Sequence, residues 1–300
     1  YIIISFFYNV INVRQYMDSV DTPSDKENSN GATTNSREVH DVIIVGAGAA
    51  GIGVAISVAH SGVENFLIVD RKGVGSSFAA WPAETRFITP SFPSNSIGML
   101  DLNSVAIGVS PAFNMRIEHP TGKEYAEHLQ GLADFFELPI RENTNILRLE
   151  KTDELFHLET DEGTLFAKKV IWAAGEYQYP SQGAFLGSDL CLHTSRINSY
   201  SNLDGEDYLI IGGYESGIDA AYHLSKHGKS VRVFDQNCPW GEESSDPSVA
   251  LSTYTFERIQ SIEFETNVEL FSEKSVQSIT YDGSMYLSLI HISEPTRRYS

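Results

Sequence analysis

Cysteine is nearly absent: Cys191 and Cys238 are the only two in 300 residues. They stand far apart, in no CxxC or metal-ligand spacing, which excludes a disulfide scaffold and fits a reducing cytosol. Basic residues are scarce as well. Lys and Arg total 21 against 40 Asp and Glu, a formal net charge of −19. Such a surface repels phosphate backbones and argues against nucleic acid as a partner. No apolar run approaches the roughly 20 residues of a membrane-spanning helix. The longest, from Ile2 to Val13, is broken by Ser5, Tyr8 and Asn9. What is present is a 41% apolar share, enough for real cores over a length that suits about two domains.

The two ends read differently from the middle. The first methionine is Met17, and Tyr1 to Val13 lacks the basic start of a signal peptide. Residues 1–40 are expected to be translated upstream sequence followed by a disordered tail, with Met17 as the start. From Met17 to Val39 the chain is too poor in apolar residues to offset its ordering entropy. At the other end, Leu287 to Arg297 resembles the in-frame translation of a transposase-type sequencing adaptor. Residues 287–300 are therefore expected to be non-native, with the natural protein continuing past about Tyr286.

Between the ends lies a repeated unit. Asp41 to Val45 is an apolar, β-branched run suited to a buried parallel strand. It feeds Gly46-Ala-Gly48-Ala49-Ala50-Gly51, a helical stretch to Gly62, a second β run Phe66 to Val69, and Asp70 with Arg71 beyond it. This is the order of a dinucleotide site. Gly46 makes the tight turn, Gly48 admits the pyrophosphate, Gly51 lets helix and strand pack, and Asp70 reaches ribose hydroxyls. The helix N-terminus supplies free N–H groups and partial positive charge. The unit recurs as Tyr208 to Ile211, Gly212-Gly213-Tyr214-Glu215-Ser216-Gly217, a helix to Gly228, and Val231 to Asp235. Gly46 and Gly212, Gly51 and Gly217, Gly62 and Gly228 all fall at one separation of 166 residues. Tyr214 stands where the first copy has Gly48, so the close approach must pass to Gly213 or the pyrophosphate must sit differently. Alternating strands and helices of this kind predict an α/β fold.

The intervening stretch has its own signals. Thr121 and Glu124 form a capping box, with Tyr125, Leu129, Leu132, Ala133 and Phe136 on one helical face. Ile146 to Leu149, Leu155 to Leu158 and Leu165 to Ile171 read as strands, the last two as a hairpin around Asp161 to Gly163.

These residues, over about Asp41 to Tyr286, resemble the two-dinucleotide-binding-domain flavoproteins, in particular flavin-containing monooxygenase-like oxidoreductases. The resemblance implies a Rossmann-type FAD-binding domain over 41–206 and a smaller NAD(P)-binding domain whose core is 207–246. It also implies a segment, 247–286, returning toward the first domain. FAD would lie on Gly46, Gly48, Gly51 and Asp70, with Trp81 in the loop near the flavin. Ala173-Ala174-Gly175 is similar to the family's Ala-Thr-Gly crossing. Gly212, Gly213, Ser216 and Gly217 would hold NADH or NADPH. Asp235, at the end of its strand, favours NADH, since an acid there binds a 2′-hydroxyl and repels a 2′-phosphate. The implied activity is NAD(P)H oxidation through FAD, with O₂ or another acceptor and a small-molecule substrate.

Departures from the family pattern matter. Phe185-Leu-Gly187 precedes His193 by six residues rather than the four of the monooxygenase fingerprint. The second glycine motif also resembles that of bacillithiol disulfide reductases, but those carry a cysteine at the position of Ala50, and without it thiol–disulfide exchange there is impossible. A non-catalytic flavin- or nucleotide-binding redox sensor is the alternative of another class. His193 reads as a surface-loop residue, and His223 with His227 as an exposed helix face. Glu215 is either a ribose contact or a first-turn acid favoured by the dipole. Tyr214 either stacks on a cofactor or shields the turn. No residue stands out as a catalytic base, and the sequence leaves the oligomeric state open.

Overall fold

A computed structural model of the protein describes residues 2–5, 38–93, 101–152, 154–177, 179–181, 183, 185–246 and 248–292. In chain order the strands are β1 (Ile2–Ser5), β2 (Val39–Val45), β3 (Phe66–Val69), β4 (Ile140–Arg141), β5 (Ile146–Thr152), β6 (Leu155–Thr160), β7 (Gly163–Trp172) and β8 (Leu192–His193). They continue as β9 (Asp207–Ile211), β10 (Ser230–Phe234), β11 (Val268–Phe271), β12 (Lys274–Tyr281) and β13 (Tyr286–Ile292). The α-helices are α1 (Ala49–His60), α2 (Ser76–Ala79), α3 (Pro111–Asn114), α4 (Gly122–Phe135), α5 (Glu215–Lys226), α6 (Thr253–Ile259) and α7 (Ile262–Asn267).

Two sheets carry the two glycine units. The first runs β4-β3-β2-β7-β6-β5, with β4, β3, β2 and β7 parallel and the β5–β6–β7 hairpins antiparallel. Alternate residues of β2 bury on opposite faces, as a strand's period of two demands. Val42 and Ile44 pack with Ile52, Ala55, Tyr125 and Leu129 from α1 and α4. Ile43 and Val45 pack with Leu67, Val69, Leu158 and Ala167. The expected capping box of α4 is present, with Glu124 N–H donating to Thr121 Oγ1 and Thr121 N–H donating to Glu124 Oε2.

The second sheet runs β11-β10-β9-β1-β8, every pair parallel. Its core joins Tyr208 and Ile210 of β9 to Ile218, Ala221 and Leu224 of α5 and Phe264 of α7. Both glycine helices end alike. The N–H groups of Gly62 and Val63 reach back to Ala59 and Val58, and those of Gly228 and Lys229 to Ser225 and Leu224, the doubled C-terminal closure that glycine at this place permits.

Four features differ from the sequence reading. Ile2–Ser5, expected to be translated upstream sequence foreign to the fold, forms β1 between β8 and β9, where three successive isoleucines suit a strand. The second unit begins before residue 207: Phe185, Cys191, Ile197 and Tyr200 pack into its cores, because their apolar side chains lie beside β9 and α5 rather than against the first sheet. Residues 247–286 do not chiefly return to the first unit. They extend the second, as β11 completes its edge beside β10 and Val276 and Ile279 of β12 pack on Leu209, Ile211 and Phe234. The adaptor-like stretch contributes β13, antiparallel to β12. The rest of residues 1–37 and of 293–300 lies outside the described residues.

Candidate functional site

The first glycine turn is shaped by contacts that only glycine allows. Gly46 sits at φ +108°, and a methyl there would come 2.3 Å from the Ala173 carbonyl oxygen, since Ala173 N–H pairs with Val45 O where β7 leaves the sheet. A methyl on Gly51 would lie 1.8 Å from the Gly46 carbonyl oxygen, so helix and strand touch there. Gly48 is different. It caps α1 with φ −81° and ψ −171°, extended backbone open to any residue, and a methyl on it would meet nothing within 4 Å. Its missing side chain leaves space over the helix end rather than relieving the fold.

That helix end is unneutralised. No side chain caps it and its first turn carries no acid, so the leading N–H groups and the positive end of the dipole are available to an anion. Asp70 sits beside it and braces the turn. Its Oδ2 accepts from Ala47 N–H at 2.8 Å, and its Oδ1 from the N–H groups of Lys72 and Gly73, each at 2.8 Å. A cleft of about 390 Å³ opens alongside, walled by Gly46, Asp70, Arg71, Lys72, Asn145 and Trp172, a size within the range of small-molecule sites. Ala174, Tyr177 and Arg196 also line it. A free helix N-terminus, a carboxylate at the strand end and two cations beside it in the cleft wall fit a dinucleotide such as FAD.

The structure brings Gly46, Asp70, Arg71 and Ala174 to this cleft, with Gly48 and Gly51 at the helix end. Ala49 and Ala50 offer backbone N–H groups there, while the flank they form borders a shallow apolar groove with Val54 and Val105. Trp81 is not in the cleft wall; it packs in a cluster with Phe78, Phe87 and, at 6.5 Å between centroids, Tyr177. Gly175 is exposed just past the crossing. Lys72, Asn145 and Trp172 were not singled out in the sequence. Lys72 follows Asp70 and Arg71 directly and is the one that adjacency could have flagged.

The second turn repeats the first and then diverges. Gly212 has φ +98°, and its N–H donates to Phe234 O at 2.8 Å, as Gly46 does to Val69 O at 2.8 Å. Gly213 N–H donates to Asp235 Oδ2 at 2.6 Å, and a methyl on Gly217 would lie 1.9 Å from Gly212 O. Tyr214 caps α5 at φ −85° and ψ −167°, nearly the dihedrals of Gly48, so tyrosine is accommodated without strain. Its phenol donates to Ala250 O at 2.8 Å, shielding the turn from one side. The close approach does not pass to Gly213, because a methyl there would meet the Trp240 ring at 2.3 Å. Gly213 makes room for an indole where Ala47 has a methyl.

Glu215 is committed to the chain itself. Its carboxylate accepts from Ser252 N–H at 2.5 Å, from Ser252 Oγ at 3.1 Å, and from Thr255 Oγ1, fastening α5 to the start of α6. The ribose role is thereby replaced by a structural one. Ser216 is half-buried in the same turn, and Asp235 Oδ1 accepts from Asn237 N–H at 2.7 Å.

The histidines differ from their sequence reading. His193 is buried, not on a surface loop, with Nδ1 3.0 Å from Ser195 Oγ; burial and then Arg196 push its pKa down. His223 faces inward, its ring stacked on Tyr200 at 5.7 Å and Nε2 3.3 Å from Asp219, whereas His227 is exposed. Inward-facing Asp219 and Leu224 on the same helix carry His223 with them. Burial pushes the Cys191 thiol up to about 12, and Cys238 is exposed. Among the described residues no group of three or more His, Cys, Asp or Glu is placed to hold a metal, and no helix is long and apolar enough to cross a membrane.

Comparisons with known proteins bear on the fold and the family. The chain is 29% identical over 194 residues to a CzcO-like oxidoreductase of Geobacillus kaustophilus, a match covering 63% of this chain and 53% of that protein. It thus spans about half the length of the curated relatives it matches. Among solved structures, the bacillithiol disulfide reductase YpdA of Staphylococcus aureus superposes with TM-score 0.65 at 20% identity, over 86% of this chain and 75% of that one. A flavin-containing monooxygenase of Stenotrophomonas maltophilia superposes with TM-score 0.62 at 15% identity, over 84% and 76%. The shared fold is that of two Rossmann-type units. Residues 43–295 match the model of the pyridine nucleotide-disulphide oxidoreductases, and with two glycine turns built on one plan the chain belongs to that family.

Proposed function

We propose that this chain is the two-nucleotide part of an FAD-dependent, NAD(P)H-oxidising oxidoreductase of the flavin monooxygenase-like kind. The observation that carries the reading is the vacancy over Gly48 beside an uncapped helix end and the braced Asp70. Bound FAD would supply the redox chemistry, taking hydride from the nicotinamide and passing electrons to O₂ or another small-molecule acceptor. The chain's own work is to hold and orient. The N–H groups of α1 would face the pyrophosphate, Asp70 would face the ribose, and Arg71 and Lys72 in the same cleft wall would offset negative charge. Gly212, Gly213, Ser216, Gly217 and Asp235 form the nicotinamide side, with NADH favoured by Asp235. The two unpaired thiols suit a reducing compartment such as the cytoplasm.

A disulfide reductase reading is disfavoured by Ala50, which has no thiol to exchange, and by the burial of Cys191. One observation favours the sensor as second reading: Trp240 and Tyr214 cover the second turn, which would weaken nicotinamide binding. Anaerobic addition of NADH to the protein loaded with FAD separates the two. Bleaching of the flavin band supports the enzyme, bound flavin that neither NADH nor NADPH reduces supports the sensor, and failure to take up FAD overturns the flavoenzyme and points to another nucleotide at the first turn.

A further inference from the structure

The two nucleotide units meet at a buried charge. Asp219 of α5 is 6% exposed and Arg258 of α6 is 9% exposed. The Arg258 guanidinium donates to Asp219 Oδ1 and, through Nη2, to Tyr254 OH at 2.6 Å. All four of these groups belong to the second unit when His223, 3.3 Å from Asp219, is counted. The remaining carboxylate oxygen is satisfied from the other unit, as Thr85 Oγ1 donates to Asp219 Oδ2 at 2.7 Å. Tyr254 then stacks face to face on His119 of the first unit, 3.9 Å between centroids and 12° between planes. His119 is itself pinned, with Nδ1 2.7 Å from Phe87 O.

The flanking chain is tied in the same direction. Ala83 N–H donates to Asn198 O at 2.9 Å, and the Glu84 carboxylate accepts from Ser199 Oγ at 2.5 Å and from Tyr200 N–H at 3.1 Å. Residues 83–87 therefore form one face of a joint, and residues 198–200 with the α5–α6 pair form the other. Interfaces between units of one chain ordinarily permit relative motion. Here a hydrogen bond to a buried, ion-paired carboxylate and a stacked ring pair both cross between the units, and both must break before the units part.

We infer that Thr85 and Asp219 are positioning residues that fix the angle between the two nucleotide-binding units. The fixed angle stands on these contacts alone. Its consequence, that hydride transfer between two bound nucleotides occurs in one preset arrangement, rests on the function proposed above.

Thr85→Val tests this without disturbing the ion pair, since it removes one hydroxyl and keeps the shape. Spin labels on the exposed Cys238 and on Glu162→Cys in the β6–β7 turn report the distance between units; Cys191 is buried and its raised pKa leaves it unlabelled. The expected result is one narrow distance distribution with Thr85, at least twofold broadening with Thr85→Val, and a narrow distribution again with Thr85→Ser. In the FAD-loaded protein, Thr85→Val is expected to slow anaerobic flavin reduction about fivefold at saturating NADH while leaving NADH affinity unchanged. A distribution that Thr85→Val leaves unaltered in width and mean would overturn the inference. Absence of flavin reduction with Thr85 in place would overturn the proposed function instead, and the label distances would still decide the joint.

Discussion

Asp235 braces the second glycine turn through the backbone N–H of Gly213, 2.6 Å away, as Asp70 braces the first through Ala47 at 2.8 Å. Each acid therefore serves the turn as well as any ribose. In both units the carboxylate also collects the N–H groups that follow it, Lys72 and Gly73 in the first and Asn237 in the second. Fixing the acid in this way presets the end of the strand before a nucleotide arrives.

Asp70→Asn is expected to weaken both functions. An amide keeps one acceptor oxygen for three N–H donors and adds a donor of its own among them. The apoprotein should lose about 1–3 kcal/mol, the range for stranding a hydrogen-bonding partner, and flavin affinity should fall at least about tenfold, about 1.4 kcal/mol. Thermal melts without flavin and a flavin titration check the two parts separately.

The glycines of the first turn should divide by role. Gly46→Ala forces a side chain into a left-handed backbone and against the Ala173 carbonyl, and is expected to cost at least about 1–3 kcal/mol of stability. Gly48→Ala meets nothing. It should melt like the parent protein and still lose flavin affinity, because the methyl enters the space left for the pyrophosphate. Equal thermal shifts for the two variants would contradict the division.

Gly213 and Trp240 should be coupled. Gly213→Ala alone must push the indole aside and is expected to destabilise by about 1–3 kcal/mol, the usual cost of overpacking. In a Trp240→Ala background the same methyl has room, so the penalty should shrink, giving an interaction energy of about 1 kcal/mol or more in a double-mutant cycle. Urea denaturation of the four proteins measures it.

His128 on α4 is buried, and its Nε2 has no hydrogen-bond partner among the described residues. Burial lowers its pKa, partly offset by Asp101. The unfolded chain therefore takes up the proton first, and stability should fall as pH drops below about 6.5, where the free imidazole titrates. The loss continues until the pH passes the lowered folded value. Melts at pH 7.5 and pH 5.5 should show a smaller drop for His128→Gln than for the parent.

Features dictated by neighbouring residues were legible in the sequence. The two glycine turns, the helix stops at Gly62 and Gly228, the Thr121–Glu124 box and the hairpin around Asp161 all follow from local backbone demands. The contacts that were missed join distant segments. Thr85 and Asp219 lie 134 positions apart, and neither residue type announces a cross-unit bond. Trp240 follows its strand as an ordinary loop aromatic, and only folding shows that Gly213 exists to receive it. Glu215 could be read as a ribose contact or as a first-turn acid favoured by the dipole; its partners, Ser252 and Thr255, are 37 and 40 positions on. The second unit's early start before residue 207 escaped notice because Cys191, Ile197 and Tyr200 are scattered apolar residues without a period.

Tyr214 has a consequence for how this second turn can vary. Its backbone is that of Gly48 to within a few degrees, so exchanging tyrosine for glycine there demands no rearrangement of strand or helix. The residue at this position can thus vary without altering the backbone of the flanking strand or helix. Gly48 shares that freedom, whereas Gly46 and Gly212, both at positive φ, do not, so each turn pairs one fixed glycine with one adjustable position.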